Sequence, residues 1–277
     1  MNIPKMRGYC RILSLATAFL PVLTLVLCAM AGFLSSLTFM APAFALVGPA
    51  RLAPEFAPYV VMVLDSSSGE GASYCSASVI APDIVLTAAH CVSDPSNTQV
   101  FFRNQLGKLV FFDVGSIAIH PDYRPNSGEP NSVTIDLALL RLVEPLPAVF
   151  KPVELTDSFR MKTGQPLRIV GFGIADEIEH GTPGILRTGV LAVIKPESSL
   201  YIKLIDPDGT GLGGCTGDSG GPVFAVGRPA LVAVAIRAKG NNGYSCGAVT
   251  EAVLTGPQLS WIHKILHAWG AAGSAAK

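Results

Sequence analysis

Two short segments, far apart in the chain, carry the residue types that a nucleophilic site needs. A serine lies on a glycine-rich turn in the segment Gly217-Asp218-Ser219-Gly220-Gly221-Pro222, and a histidine lies beside a cysteine in Thr87-Ala88-Ala89-His90-Cys91. A serine hydroxyl is a poor nucleophile until a base accepts its proton, and an imidazole titrates near neutral pH. The sequence therefore predicts a fold in which these two turns meet.

A carboxylate midway along the chain completes the set. Asp136 lies in the apolar run Ile135-Asp136-Leu137-Ala138-Leu139-Leu140, where burying a charge is costly unless a partner satisfies it. An imidazole N–H would be such a partner. Taken singly, the histidine fits a packing role and the glycine-rich segment fits a simple turn. The order His90, Asp136, Ser219 is one of three chain orders in which unrelated proteins assemble this triad.

The first 45 residues have the pattern of a secretory leader. Lys5, Arg7 and Arg11 precede an uncharged apolar stretch, and Ala43-Phe44-Ala45 offers a small-residue cleavage site. We expect cleavage after Ala45, which leaves residues 46–277 as a secreted or periplasmic protein. The alternative is an uncleaved membrane anchor, because residues 12–33 are long enough to span a bilayer.

The charges beyond the leader exclude some partners. The chain has 20 basic and 20 acidic residues, and since three basic ones lie in the leader, residues 46–277 are slightly acidic. They contain no basic patch of the kind that binds nucleic acid. Residues 46–277 are enough for one domain, or two fused half-domains, with a sizeable core. We expect a monomer that touches a membrane only through an uncleaved leader.

The cysteines indicate disulfides. Four of them lie outside the leader, at Cys75, Cys91, Cys215 and Cys246. An even number in an exported chain predicts two disulfides, for which the sequence allows three pairings. A zinc site is the alternative, but the sequence has no Cys-x-x-Cys pair. We therefore expect no metal and no cofactor.

Short apolar runs broken by Gly, Pro, Asn, Asp and Ser indicate an all-β sandwich or barrel. Candidate strands include Val60–Leu64, Ser78–Ile80, Ile84–Thr87, Val110–Ile119, Leu137–Leu142, Leu167–Gly171, Val190–Ile194 and Leu231–Ala238. Only the end of the chain has helical spacing, since four apolar residues recur on one face there: Leu259, Ile262, Leu266 and Trp269.

With the triad in this order, the chain resembles the trypsin- and chymotrypsin-like serine proteases from about residue 46 to residue 265. Three lesser motifs agree: His120-Pro121, Gly171-Phe172-Gly173 and Ser260-Trp261-Ile262. The resemblance implies an all-β fold of two six-stranded antiparallel β-barrels with a C-terminal helix. It also implies hydrolysis of polypeptide substrates through an acyl-enzyme, and the disulfides Cys75–Cys91 and Cys215–Cys246.

The resemblance assigns a role to each residue of the site. Ser219 would attack the scissile carbonyl, His90 would take and return its proton, and Asp136 would hold the imidazole. The backbone N–H groups of Gly217 and Ser219 would form the oxyanion hole.

Activation in this family uses a newly cut N-terminus, whose α-ammonium pairs with the aspartate that precedes the nucleophile, here Asp218. Cleavage after Ala45 would make Leu46 that terminus and expose Leu46-Val47-Gly48, although Pro49 departs from the usual second glycine. Cleavage after Arg51 by another protease is the alternative.

The pocket implied by the resemblance has no fixed charge. Gly213 stands where enzymes of basic preference have an aspartate, Gly214 follows it, and Gly247 on the wall would leave the pocket open. We expect a preference for apolar residues such as Leu, Phe or Tyr. The stretch Ile236-Arg237-Ala238 replaces the usual Ser-Trp-Gly, and Arg237 and Lys239 would either face solvent or attract acidic substrate residues.

Two further readings of the sequence remain open. One is a binding module that keeps the fold without catalysis. The other is a membrane-tethered protease whose leader stays attached.

Overall fold

The computed structural model describes residues 46–67, 71–125, 134–156, 161–177, 184–194 and 198–271. The predicted leader, residues 1–45, lies outside the described residues, as does its cleavage. The described part contains one α-helix, α1 (Leu259–Ala268), and fourteen strands. The strands are β1 (Arg51–Leu52), β2 (Val60–Asp65), β3 (Ser73–Ala81), β4 (Ile84–Thr87), β5 (Thr98–Arg103), β6 (Leu109–Ile119), β7 (Ala138–Leu142), β8 (Glu154–Leu155), β9 (Pro166–Gly171), β10 (Arg187–Val193), β11 (Tyr201–Ile205), β12 (Pro222–Ala225), β13 (Ala230–Lys239) and β14 (Val249–Leu254).

The strands close into two antiparallel barrels. The N-terminal barrel has the order β2-β3-β4-β7-β6-β5. The C-terminal barrel has the order β10-β11-β14-β13-β12-β9, and β9 pairs with β10 to close it. Outside the barrels, β1 adds to β10 and β8 pairs in parallel with β13. The expectation of two six-stranded barrels and a C-terminal helix is confirmed.

The three largest apolar clusters lie within and between the barrels. One cluster fills the N-terminal barrel and a second fills the C-terminal barrel. The third joins residues of both barrels, such as Ile84 and Phe224, to Ile262 and Leu266 of α1. The predicted apolar face of the helix therefore packs against the body of the protein. No helix in the described ranges has the length and apolar character needed to cross a membrane.

A buried carboxylate holds the loop that follows the histidine turn. Asp65, at the end of β2, is 6% exposed and accepts hydrogen bonds from Ser67, Ser93 and Thr98. Burial by itself would raise the pKa of Asp65, but these donors outweigh it and hold the pKa below its usual value. Because Ser93 follows Cys91 closely, Asp65 fixes the exit of the histidine turn.

We expect Asp65→Ala to lower the free energy of unfolding by about 3 kcal/mol at neutral pH, because it leaves buried donors without an acceptor. A lowered carboxyl pKa stabilises the fold above its unfolded value and stops doing so as the pH falls through the folded value. The difference from the wild type, measured by urea unfolding, should therefore shrink in acid. Asp94→Ala is the control, since exposed Asp94 accepts bonds from its near neighbours Ser96 and Asn97. An equal loss in both variants would contradict this account.

Candidate active site

The histidine and the midway carboxylate meet in a two-point contact. His90 lies on a short 3₁₀ turn after β4, and Asp136 lies just before β7. His90 Nδ1 is 2.6 Å from Asp136 Oδ2, and the His90 backbone N–H donates to Asp136 Oδ1 at 2.9 Å. Asp136 is only 8% exposed. Because a carboxylate only accepts, Nδ1 carries a proton and Nε2 is left as the acceptor.

A tyrosine that the sequence did not single out holds the segment of Asp136. The Tyr201 hydroxyl accepts a hydrogen bond from the Thr134 N–H at 3.0 Å and donates to the Thr134 carbonyl. The contact spans 67 positions along the chain, so no local pattern could have predicted it. Tyr201 thereby fixes the approach of the chain to Asp136.

The serine turn packs directly against the strand that leads to the histidine. Gly220 has φ +80°, and a Cβ there would lie 2.1 Å from Thr87 Oγ1 and 3.0 Å from the Ala88 nitrogen. Only glycine fits such an approach. The turns of Ser219 and His90 therefore lie side by side. Although both residues are described, no hydrogen bond joins Ser219 Oγ to the His90 ring; such bonds are often long without substrate.

Ser76 of β3 fixes the backbone of the serine turn. Its N–H donates to the Ser219 carbonyl at 2.8 Å, and its hydroxyl donates to the Gly217 carbonyl at 2.9 Å. The same hydroxyl accepts from the Phe172 N–H at 2.9 Å. Ser76 is fully buried. It therefore holds the carbonyl side of this turn from the opposite barrel.

Two backbone donors beside Ser219 are left available. Gly217 has φ +93°, and the hydrogen bonds of the described residues give neither its N–H nor that of Ser219 an acceptor. The Tyr74 ring covers Gly217 so closely that a Cβ there would lie 2.3 Å from Tyr74 Cε2. Two free N–H groups one residue apart can bind an oxyanion.

The carboxylate of Asp218 is buried without a cation. Its two oxygens accept hydrogen bonds from the N–H groups of Gly173 and Cys215, both at 2.9 Å. Gly171 and Gly173 leave the room for it, because a Cβ on either would lie within 2.4 Å of a carboxylate oxygen. Burial raises the pKa of Asp218 to about 7. Among the described residues no ion pair reaches it.

The first residue after the predicted leader packs into the core of the C-terminal barrel. Leu46 is fully buried with the apolar residues of that barrel. Val47 pairs with Gly213, whose N–H donates to the Val47 carbonyl at 3.2 Å. In the described part no bond joins Leu46 to Asp218, and the Leu46 nitrogen is a peptide nitrogen.

The predicted pocket glycines form a tightly packed floor. A Cβ on Gly213 would lie 2.9 Å from Gly247 Cα, and one on Gly247 would lie 2.6 Å from the Gly211 carbonyl oxygen. Gly214 donates its N–H to Thr250 Oγ1 at 2.9 Å. Neither Gly213 nor Gly247 can therefore carry a side chain unless the backbone moves.

Both disulfides implied by the resemblance are present, as Cys75–Cys91 and Cys215–Cys246. Each contributes to a group of ligand-type atoms within 4.8 Å of one another, the first with His90 and the second with Glu177. Because the sulfurs are bonded to each other, neither group offers thiolates to a metal.

A cavity of about 700 Å³ opens beyond the pocket floor, between Val47, Gly247 and three carboxylates, those of Asp176, Glu177 and Asp206. Glu177 accepts the N–H groups of Ser245 and Cys246, and Asp206 accepts donors of its own loop. These last two carboxylates therefore hold loops in place.

Loss of a hydroxyl should change the free energy of unfolding in opposite directions at two nearby residues of β3. Ser76→Ala should lower the free energy of unfolding by about 2 kcal/mol, because the Gly217 carbonyl and the Phe172 N–H lose their partner. Among the described residues the buried Tyr74 hydroxyl has no hydrogen-bond partner, so Tyr74→Phe should raise the free energy of unfolding by about 1 kcal/mol. Thermal and urea unfolding measure both. Destabilisation by Tyr74→Phe would show that its hydroxyl is satisfied after all.

Comparisons with known proteins agree on one family. The family model described as Trypsin matches residues 47–256. A vitellin-degrading protease of Bombyx mori is 32% identical over 60% of this chain, and the matched region spans 66% of that protein. Serine protease 28 of Mus musculus is 26% identical, with 69% of this chain and 77% of that protein covered.

Two solved structures have the same fold. Neuropsin, a serine protease of mouse brain, matches with a TM-score of 0.63 at 22% identity and covers 79% of this chain and 99% of its own. An inactivated protease paralogue of the scabies mite matches with a TM-score of 0.59 at 26% identity, covering 76% and 95%.

Proposed function

Because the chain belongs to the trypsin family of serine proteases, we propose that it is an active serine endopeptidase with His90, Asp136 and Ser219 as its triad. The observation that carries this proposal is the buried two-point contact of His90 with Asp136, held beside the turn of Ser219. A lone packing histidine has no need of a buried carboxylate that binds both its ring and its backbone.

The geometry supports the following chemistry. His90 Nε2 accepts the proton of Ser219 Oγ as that oxygen attacks the carbonyl carbon of the scissile bond. The N–H groups of Gly217 and Ser219 bind the oxyanion of the tetrahedral intermediate. The imidazolium then gives its proton to the departing amine and leaves an acyl-enzyme. A water molecule, deprotonated by the same histidine, attacks the ester, releases the acid product and restores the serine hydroxyl.

The edge of β13 supports binding of an extended peptide. Gly220 and Gly221 bond to Ala235, and the pairing of β12 with β13 ends at Val234. Beyond it the register shifts at Ile236, and residues 237–239 pair with β14 on one side and, among the described strands, with none on the other. Such an open edge can accept a peptide as an added strand. With an uncharged glycine floor nearby, apolar residues such as Leu, Phe or Tyr would precede the scissile bond.

Export is part of the proposal. Disulfides persist in oxidising compartments, and the apolar leader supports secretion or transfer to a periplasm. The protein would act as a monomer on polypeptides, without a cofactor or a metal, and would touch no nucleic acid.

We expect a fluorophosphonate probe to label the exported protein at Ser219, and Ser219→Ala to abolish the label. Asp136→Asn should lower kcat by about 10⁴ because it disturbs the tautomer of His90. Asp122→Asn, an exposed carboxylate nearby, is the control and should label normally. A folded wild type that resists the probe, even when it begins at Leu46, would favour the binding module.

Activation by removal of the leader is the second part of the proposal. Asp218 is a buried carboxylate in need of a cation, and Leu46 is already buried in the same barrel. A cut after Ala45 would give Leu46 an α-ammonium that can pair with Asp218. A cut after Arg51 would instead remove Leu46 from the core and interrupt β1, where Arg51 pairs with Thr188.

Labelling should appear only in molecules whose N-terminal sequence begins at Leu46. In the uncut chain the pKa of Asp218 lies near 7, above its unfolded value. Stability of that form should therefore fall as the pH rises from about 4 to above 7, as linkage requires. Asp218→Asn should remove this fall in the uncut chain and abolish labelling in the cut chain. Full labelling of a protein that starts elsewhere would refute the assignment.

A further inference from the structure

We propose that Arg237 and Lys239, which together we call the basic ledge, make this enzyme prefer peptides with acidic side chains on the N-terminal side of the scissile bond. The inference rests on the proposed peptidase function and names its substrate class.

The basic ledge keeps most of its positive charge. Lys239 Nζ is 2.8 Å from Glu251 Oε1, and Arg237 Nη1 is 3.6 Å from Glu251 Oε2. The same carboxylate is also 3.9 Å from the Lys203 ammonium. One negative charge is thus shared among three cations, so it cannot neutralise both ledge residues. Their side chains are 62% and 53% exposed, which leaves them accessible to a ligand.

The ledge begins beside the nucleophile turn. The Gly220 N–H donates to the Ala235 carbonyl at 2.7 Å, and the Ala235 N–H donates to the Gly221 carbonyl at 2.9 Å. Past the irregularity at Ile236, Arg237 is two residues and Lys239 four residues further along β13. Because Arg237 and Lys239 are two residues apart in a regular stretch of strand, they point to the same face, whereas Ile236 packs on the core.

The direction of the strand decides which substrate residues meet the ledge. A peptide that pairs antiparallel with residues 237–239 runs from Lys239 towards Ala235 and the turn of Ser219. Its residues beside Arg237 and Lys239 therefore precede the bond that reaches the serine. An extended backbone brings side chains of either partner within reach of those on the facing strand, so a Glu or Asp there would meet the ledge.

A second observation places Arg237 near the triad. Burial raises the pKa of the Tyr201 hydroxyl, the charge of Asp136 raises it further, and the charge of Arg237 lowers it. Tyr201 is the residue that holds the segment of Asp136. Arg237 therefore lies within electrostatic range of the same group as the triad carboxylate.

The experiment compares peptide pairs that differ only by Glu or Gln at the second to fourth residue before the scissile bond. The full chain is expressed and collected in the form that the cell releases, after probe labelling has shown that it is active. We expect kcat/KM to be about fivefold higher for the Glu peptides at low salt, in keeping with exposed ion pairs, and the ratio to approach one at high salt.

Variants test whether the ledge is the cause. Arg237→Gln should reduce the Glu-to-Gln ratio to about two, and Arg237→Glu should invert it. Arg228→Gln is the matched control, because Arg228 is equally exposed and pairs with one carboxylate, Glu154, beyond the opposite end of β13. Its ratio should equal that of the wild type.

The outcomes separate this inference from the function on which it rests. Cleavage of Glu and Gln peptides at equal rates would contradict the role of the basic ledge without contradicting the peptidase function. A preference for Glu peptides that persists in Arg237→Glu would do the same. Failure to cleave any peptide, despite a folded protein that begins at Leu46, would overturn the peptidase itself. The same peptides report the residue before the scissile bond, and cleavage confined to Lys and Arg would contradict the apolar pocket.

Discussion

The contact of Ser76 with the serine turn is the interaction on which the site depends. Two barrels with separate cores could pack at many relative positions, but β3 of one bonds to the carbonyls of Ser219 and Gly217 in the other. Gly220 lets the turn approach Thr87 until no side chain would fit between them. Because His90 follows Thr87 within one turn of chain, fixing this contact also fixes where the imidazole lies relative to the serine.

Two buried aspartates show how one residue type acquires two tasks from its surroundings. Asp136 accepts hydrogen bonds from the imidazole and the backbone N–H of His90, and that imidazole can itself become a cation by taking a proton at Nε2. Asp218 has two backbone N–H groups but no cation among the described residues, and burial lifts its pKa to about 7. A cation that reaches this carboxylate would favour its ionised form and pair with it. A new α-ammonium, made by a cut far away in the chain, could in this way control the turn of Ser219.

The sequence predicted the parts of this protein that local patterns encode. The strand Ile84–Thr87 and the apolar face of α1 were predicted because their periodicity is local, and the two barrels followed from the resemblance. Apart from the two-residue strands, β5, β11, β12 and β14 are not among the candidate runs, since each exists through pairing inside a closed barrel. Ser76 and Tyr201 were missed for a related reason, because their partners lie 141 and 67 positions away.

The glycine floor has a consequence for how this protein can select substrates. Gly213 and Gly247 are in backbone contact, so a charge cannot be placed there without moving the chain. In the proposed peptidase, selectivity for acidic substrates would then come from side chains along the open edge of β13. Charges on such an edge stay in solvent, where each ion pair contributes little and salt screens it. A protease built in this way would rank its substrates in a graded manner, whereas a buried ion pair at the floor would separate them sharply.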